Sequence, residues 1–160
     1  MNKKITIENI KKVRDISVLP LNFRPMAKIS PYISYFFVKY LPFSPNQISL
    51  IWGFVGFVAV FLMALGSYWN MLAGVLVYHL ALLLDYVDGE VARVSKKTSL
   101  TGICLDKIFS VVFRGLLILG LGIGLYNTNG NVLYFYLGIW ACLFLVFDNS
   151  LAILKANVLP

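Results

Sequence analysis

Asp85, Asp88 and Asp106 stand inside apolar stretches of this sequence. At the centre of a membrane helix each ionised carboxylate costs roughly 2.5–3.5 kcal/mol, so their presence needs a reason. On a helix, Asp85, Asp88, Gly89 and Ala92 fall at i, i+3, i+4 and i+7 and share one face. In the next apolar stretch Gly102, Asp106, Ser110 and Arg114 are each four apart and share another face. Carboxylates thus alternate with residues of almost no side chain, which lets a helix or a ligand approach closely. Oxygen donors without His or Cys beside them suit a hard cation, magnesium or manganese, rather than zinc. Magnesium commonly joins one or two carboxylates to substrate phosphates, so a phosphate-bearing substrate follows. The alternative is a set of interfacial salt bridges from the aspartates to Arg93, Lys96, Lys97 and Lys107, which the interleaved glycines disfavour.

Helices that cross a membrane must position these residues. Hydrophobic residues make up 59% and charged residues only 13%, and the mean hydropathy is +0.80. Windows of about 20 apolar residues predict spans at roughly Ile48–Trp69, Met71–Val91, Leu100–Tyr126 and Val132–Leu154. No alternating strand pattern survives. The expected fold is all-α: a polytopic transmembrane helical bundle of four spans, preceded by an N-terminal interfacial amphipathic helix. Residues 1–43 read as the basic interfacial arm and 44–160 as the transmembrane domain. Ser44, Pro45 and Gln47 give the first span a capping box with proline at the first helical position, and Asn129-Gly130 marks a tight turn before the last.

Eight of the fourteen Lys and Arg precede residue 40, and Arg93, Lys96, Lys97 and Lys155 fall in the second break and the C-terminal tail. The first and third breaks have none, so the positive-inside rule puts both termini and the second break in the cytoplasm. All three aspartates then lie near the cytoplasmic surface and build one pocket there. In the arm, Ile7, Ile10, Val13 and Ile16 recur every third residue, as in a helix lying on a membrane surface, and anionic lipid headgroups are the expected partner of the basic residues. The net charge of +7 does not indicate nucleic acid, because no reading motif or basic stripe on a soluble surface accompanies it.

The stretch "DYVDGEVARVSKKTSLTGICLD" resembles the signature of the CDP-alcohol phosphotransferase family, D-x-x-D-G-x-x-A-R, eight residues, then G-x-x-x-D-x-x-x-D. Asp85, Asp88, Gly89, Ala92, Arg93, Gly102 and Asp106 match it, and "SPNQIS" is similar to the family's lead-in to its first span. The resemblance implies transfer of a substituted phosphate from a CDP-linked donor to an alcohol acceptor, with release of CMP, in phospholipid biosynthesis. It implies two divalent metals, Mg2+ or Mn2+, held by Asp85, Asp88 and Asp106. Asp85, Gly89, Ala92, Arg93 and Gly102 would bind the nucleotide, and a homodimer is the family habit.

Two departures stand out. The last aspartate of the pattern, which in the family ligates metal and deprotonates the acceptor, is Ser110 here. A serine hydroxyl is a weak neutral ligand and a poor base. Arg114, one turn deeper, needs a partner, for which Asp85, Asp106 and Asp148 are candidates; it would replace lost metal charge or contact a phosphate. The family also has six spans where this chain has room for four; a fragment, a truncated gene and a compact variant all fit. The alternative function is therefore a catalytically impaired relative that keeps metal and CDP binding. A small helical transporter is disfavoured, because its ionisable groups would spread through the membrane depth. His79 reads as a packed, hydrogen-bonded residue, "GLGIG" at 120–124 as close helix packing, and Trp52, Trp69 and Trp140 as span residues or interface anchors.

Overall fold

A computed structural model describes residues 6–12, 24–41, 43–96 and 100–158. The described residues form six helices: α1 (Ile7–Lys11), α2 (Arg24–Tyr40), α3 (Pro45–Ala64), α4 (Tyr68–Val94), α5 (Leu100–Asn129) and α6 (Val132–Val158). Four stretches are long and apolar enough to cross a membrane: Pro45–Ala64, Tyr68–Val94, Gly102–Asn129 and Val132–Ala152. They overlap the four expected spans, although the first ends at Ala64 and Trp69 belongs to the second, and the chain is an integral membrane protein.

Local chemistry sets the helix ends. At the start of α3 the Gln47 side chain accepts from the Ser44 backbone N–H at 2.8 Å, and the Ser44 hydroxyl accepts from the Gln47 N–H at 3.4 Å. This is the expected capping box, and it fixes where Pro45 and Asn46 lie. Between α3 and α4, Gly66 takes a φ of 84°, and the Ser67 hydroxyl accepts from the Asn70 N–H at 3.2 Å. After α5, Gly130 turns the chain at φ 69°, and the Asn131 side chain accepts from the Leu133 N–H at 2.9 Å to begin α6.

The chain divides into two compact units. The first comprises the segment through Gly53 together with Leu80–Asp106. Its core is Ile48 of α3 with Val87 and Val91 of α4, against which Ile33, Phe37 and Val38 of α2 pack. The inward face of α2 also carries Ala27, Ser30, Pro31 and Ser34, all buried, whereas Ile29, Tyr32, Phe36 and Tyr40 point outward. Apolar residues thus stand on both faces of α2, as suits a helix whose outer solvent is lipid.

Of the expected N-terminal helix, the described residues show Ile7–Lys11. Val13 and Ile16 lie outside the described residues. Ile10 is 1% exposed, so this apolar position is buried in protein rather than laid on a membrane. α1 packs on α2, where Lys11 Nζ donates to the Tyr32 hydroxyl at 3.2 Å and lies 4.9 Å above its ring.

The second unit comprises Phe54–His79 and the segment from Lys107 onward. Phe113 is buried, with its ring edge-on to Phe57 at 4.8 Å. The small residues of 120–124 do permit close packing. Gly120 meets the Val60 backbone, Gly124 meets the Met63 carbonyl, and Gly122 lies against Gly138 of α6. Asn127 donates to the Ala64 carbonyl at 2.8 Å, which ties the end of α5 to the end of α3. α6 leaves Trp140, Phe144 and Phe147 exposed, a face suited to lipid. His79 is hydrogen-bonded to the Val75 carbonyl at 2.8 Å, as expected, but its side chain is exposed rather than packed.

Candidate functional site

The first unit contains a cavity of about 130 Å³. Its lining runs from the start of α3 (Pro45, Asn46, Ser49) through the C-terminal half of α4 (Asp88, Gly89, Ala92, Arg93) to the first turns of α5 (Gly102, Ile103, Asp106). Three helix segments distant in sequence therefore meet around one space.

Asp88 is 5% exposed, yet its carboxylate is not left bare. The Ser49 hydroxyl donates to Asp88 Oδ2 at 2.6 Å, and the Trp52 indole N–H donates to the same oxygen at 3.0 Å. Ser49 and Trp52 lie three apart, on one face of α3, so a single helix supplies both donors. Both of these donors are neutral, whereas a lysine would bring an opposing charge. Asp106 borders the same cavity, so two carboxyl-bearing residues line one space. Such a pair favours a bound cation.

Arg93 is the basic side chain of the lining. Its guanidinium lies over Gly89: a Cβ built there would stand 3.2 Å from both Nη1 and Nη2. Glycine at this position thus leaves room for the arginine one turn on.

Six of the residues that carry the sequence pattern come together here: Asp88, Gly89, Ala92, Arg93, Gly102 and Asp106. Asp85, one turn before Asp88, is half-buried and outside the lining. Lys97, a candidate salt-bridge partner, lies outside the described residues. Ser110 and Arg114 belong to the second unit. α5 runs unbroken through Asp106, Ser110 and Arg114, so they follow one another at single-turn intervals along it. The Ser110 hydroxyl donates to the Lys107 carbonyl at 3.0 Å, a bond within the helix. Arg114 Nη1 donates to Asn149 Oδ1, a neutral amide oxygen, at 3.0 Å.

Among the described residues, no three His, Cys, Asp or Glu side chains group as a metal cage. Asp88 and Asp106 are the two carboxylates of the lining, oxygen donors of the kind a magnesium or manganese ion accepts. Such an ion takes one or two carboxylates from the protein and the rest of its oxygens from phosphate and water.

Four residues in or near the site were given no role in it by sequence reasoning. Asn46, Ser49 and Trp52 sit on the apolar first span, where a serine three residues before a tryptophan was the available signal. Trp52 is no membrane anchor: it is 4% exposed and bonded to Asp88, unlike Trp69 and Trp140, both largely exposed. The fourth is Glu90. It is 1% exposed, and its two carboxylate oxygens accept from the Ser30 and Ser34 hydroxyls, each at 2.6 Å.

A comparison with curated proteins finds no match. A family model, described as CDP-alcohol phosphatidyltransferase, matches residues 43–159. That span begins just before the capping box of α3 and takes in every lining residue of the cavity. The chain therefore belongs to the CDP-alcohol phosphatidyltransferase family, whose membership implies phosphotransferase activity in phospholipid synthesis.

Proposed function

We propose that the cavity binds the nucleotide diphosphate of a CDP-linked donor, and that the protein transfers the donor's substituted phosphate to an alcohol, releasing CMP. The observation that carries this reading is the shared lining: Asp88, Gly89, Ala92, Arg93, Gly102 and Asp106 surround one space at the end of a membrane helix. Arg93 supplies positive charge toward a phosphate, and Gly89 and Gly102 leave room for it. Ser49 and Trp52 hold Asp88 in a fixed orientation before any ligand arrives, so little reorganisation is needed on binding. A divalent cation held by Asp88 and Asp106 would neutralise charge on the pyrophosphate and on the departing CMP. The distribution of basic residues supports a site open to the cytoplasm, with both termini on that side.

In the transfer, the acceptor oxygen forms a bond to phosphorus, the bond from phosphorus to the CMP oxygen breaks, and the acceptor proton must go to a base. Ser110 occupies the position at which the family carries that base. Its neutral hydroxyl is already donating to the Lys107 carbonyl. This favours a second reading, in which metal and CDP binding persist and transfer is impaired.

Purified protein in vesicles, supplied with a CDP-linked lipid donor, a panel of alcohols and magnesium or manganese, distinguishes the two. CMP release that depends on an alcohol supports the transferase. CDP binding without CMP release supports the impaired form, and absence of both sinks the site assignment.

A further inference from the structure

Glu90 occupies an unspecified position of the sequence pattern, immediately after the glycine. Its burial needs explaining, because removing a carboxylate from water is costly unless the group is well bonded. Ser30 and Ser34, each wholly buried, provide two of those bonds, one to each carboxylate oxygen. Four residues apart, they stand one above the other on α2 and present a matched pair of hydroxyls. Both lie before residue 43, where the family match begins.

The geometry of α4 gives this grip its meaning. Residues two apart on a helix point to nearly opposite sides. Asp88 faces α3 and is held there by Ser49 and Trp52, while Glu90 faces α2 and is held by Ser30 and Ser34. The short segment carrying Asp88 and Gly89 is therefore fastened from both sides. The outer face of α2 exposes Ile29, Tyr32 and Phe36, so the helix that grips Glu90 also presents the surface suited to lipid.

We propose that Glu90 is a positioning residue: through Ser30 and Ser34 it locks α2 onto α4 and sets the placement of Asp88 and Gly89 in the cavity. It takes no part in the chemistry. Its effect on CDP binding rests on the functional reading above; its effect on the surroundings of Asp88 does not.

Trp52 reports that placement directly, since it is bonded to Asp88. With Trp69→Phe and Trp140→Phe, it becomes the single tryptophan of the three in the chain. In that full-length protein in lipid nanodiscs, Trp52 emission, melting temperature and magnesium-dependent CDP affinity are measured together. Glu90→Ala and the double change Ser30→Ala with Ser34→Ala are expected to shift the emission to the red. CDP binding should weaken about tenfold, as for a lost hydrogen bond to a charged group. Glu90→Gln should stay within about twofold of the parent, because an amide offers one acceptor and one donor and a serine hydroxyl can serve as either.

Phe113→Leu, in the second unit, should lower the melting temperature without moving the emission. Wild-type emission and affinity in Glu90→Ala would overturn the proposal, as would equal damage from Glu90→Gln or an emission shift of the same size in Phe113→Leu. If Glu90→Ala does not fold, Ser34→Ala alone decides: a partial red shift supports the clamp, and none refutes it. If the parent binds no CDP, the functional reading fails, and the emission measurements still decide the role of Glu90.

Discussion

The Trp52 indole N–H donates to Asp88 Oδ2 at 3.0 Å, so a tryptophan in an otherwise apolar span holds the carboxylate at the centre of the site. Trp52→Phe keeps an aromatic ring and removes the donor. A hydrogen bond to a charged group contributes about 1.5–3 kcal/mol, and the variant should lose stability of that order. Asp88 would also be less well oriented, so metal-dependent CDP binding should weaken. Thermal melting and CDP titration of the same preparation check both effects; unchanged values in both would mean that Ser49 alone holds Asp88.

Gly89→Ala should separate binding from folding. Alanine favours a helix over glycine by about 1 kcal/mol, so the melting temperature should hold or rise. The new Cβ would stand 3.2 Å from both terminal nitrogens of Arg93, and the flexible guanidinium would yield rather than the backbone. CDP affinity should fall while stability does not, which calorimetric titration beside a melting curve reads directly.

Gly124→Ala should do the reverse. Its Cβ would run into the Met63 carbonyl, which is backbone and cannot swing aside. α3 and α5 would have to part, at a cost of about 1–3 kcal/mol or more. A lower melting temperature with CDP affinity little changed in the protein that remains folded is the expected outcome.

These contrasts follow how legible each part was in the sequence. The four spans were readable because a membrane demands about 20 apolar residues in a row, and the capping box of Ser44 and Gln47 was readable because it is local. α2 was harder. Its outward face exposes Ile29, Tyr32 and Phe36 while its inward face mixes Ile33, Phe37 and Val38 with Ser30 and Ser34, so a rule that buries apolar residues does not pick out the inward face. Glu90 was illegible for the same reason, since its partners lie some sixty positions earlier. Asp88, Gly89 and Ala92, and separately Gly102 and Asp106, were legible because their spacing is helical, and the family resemblance joined them with Arg93 into one group; the contribution of Ser49 and Trp52 depends on which face of α3 meets α4.

Ser110→Asp places a carboxylate one turn after Asp106 on the same unbroken helix and replaces a hydroxyl now bonded to the Lys107 carbonyl. If the missing base limits transfer, CMP release in the presence of an alcohol should rise in this variant by about a hundredfold, the lower end of general base catalysis. CMP release at the wild-type rate would mean that another group takes the acceptor proton.

The most direct measurement is calorimetric titration of CDP into the purified protein, with and without magnesium, for wild type and Asp88→Asn. The amide has almost the shape of the carboxylate but carries no charge to hold a cation. Binding in wild type that requires magnesium, and its loss in Asp88→Asn with the melting temperature kept, is the expected result. Equal binding by both proteins, or none by wild type, would contradict the assignment of this cavity as the nucleotide site.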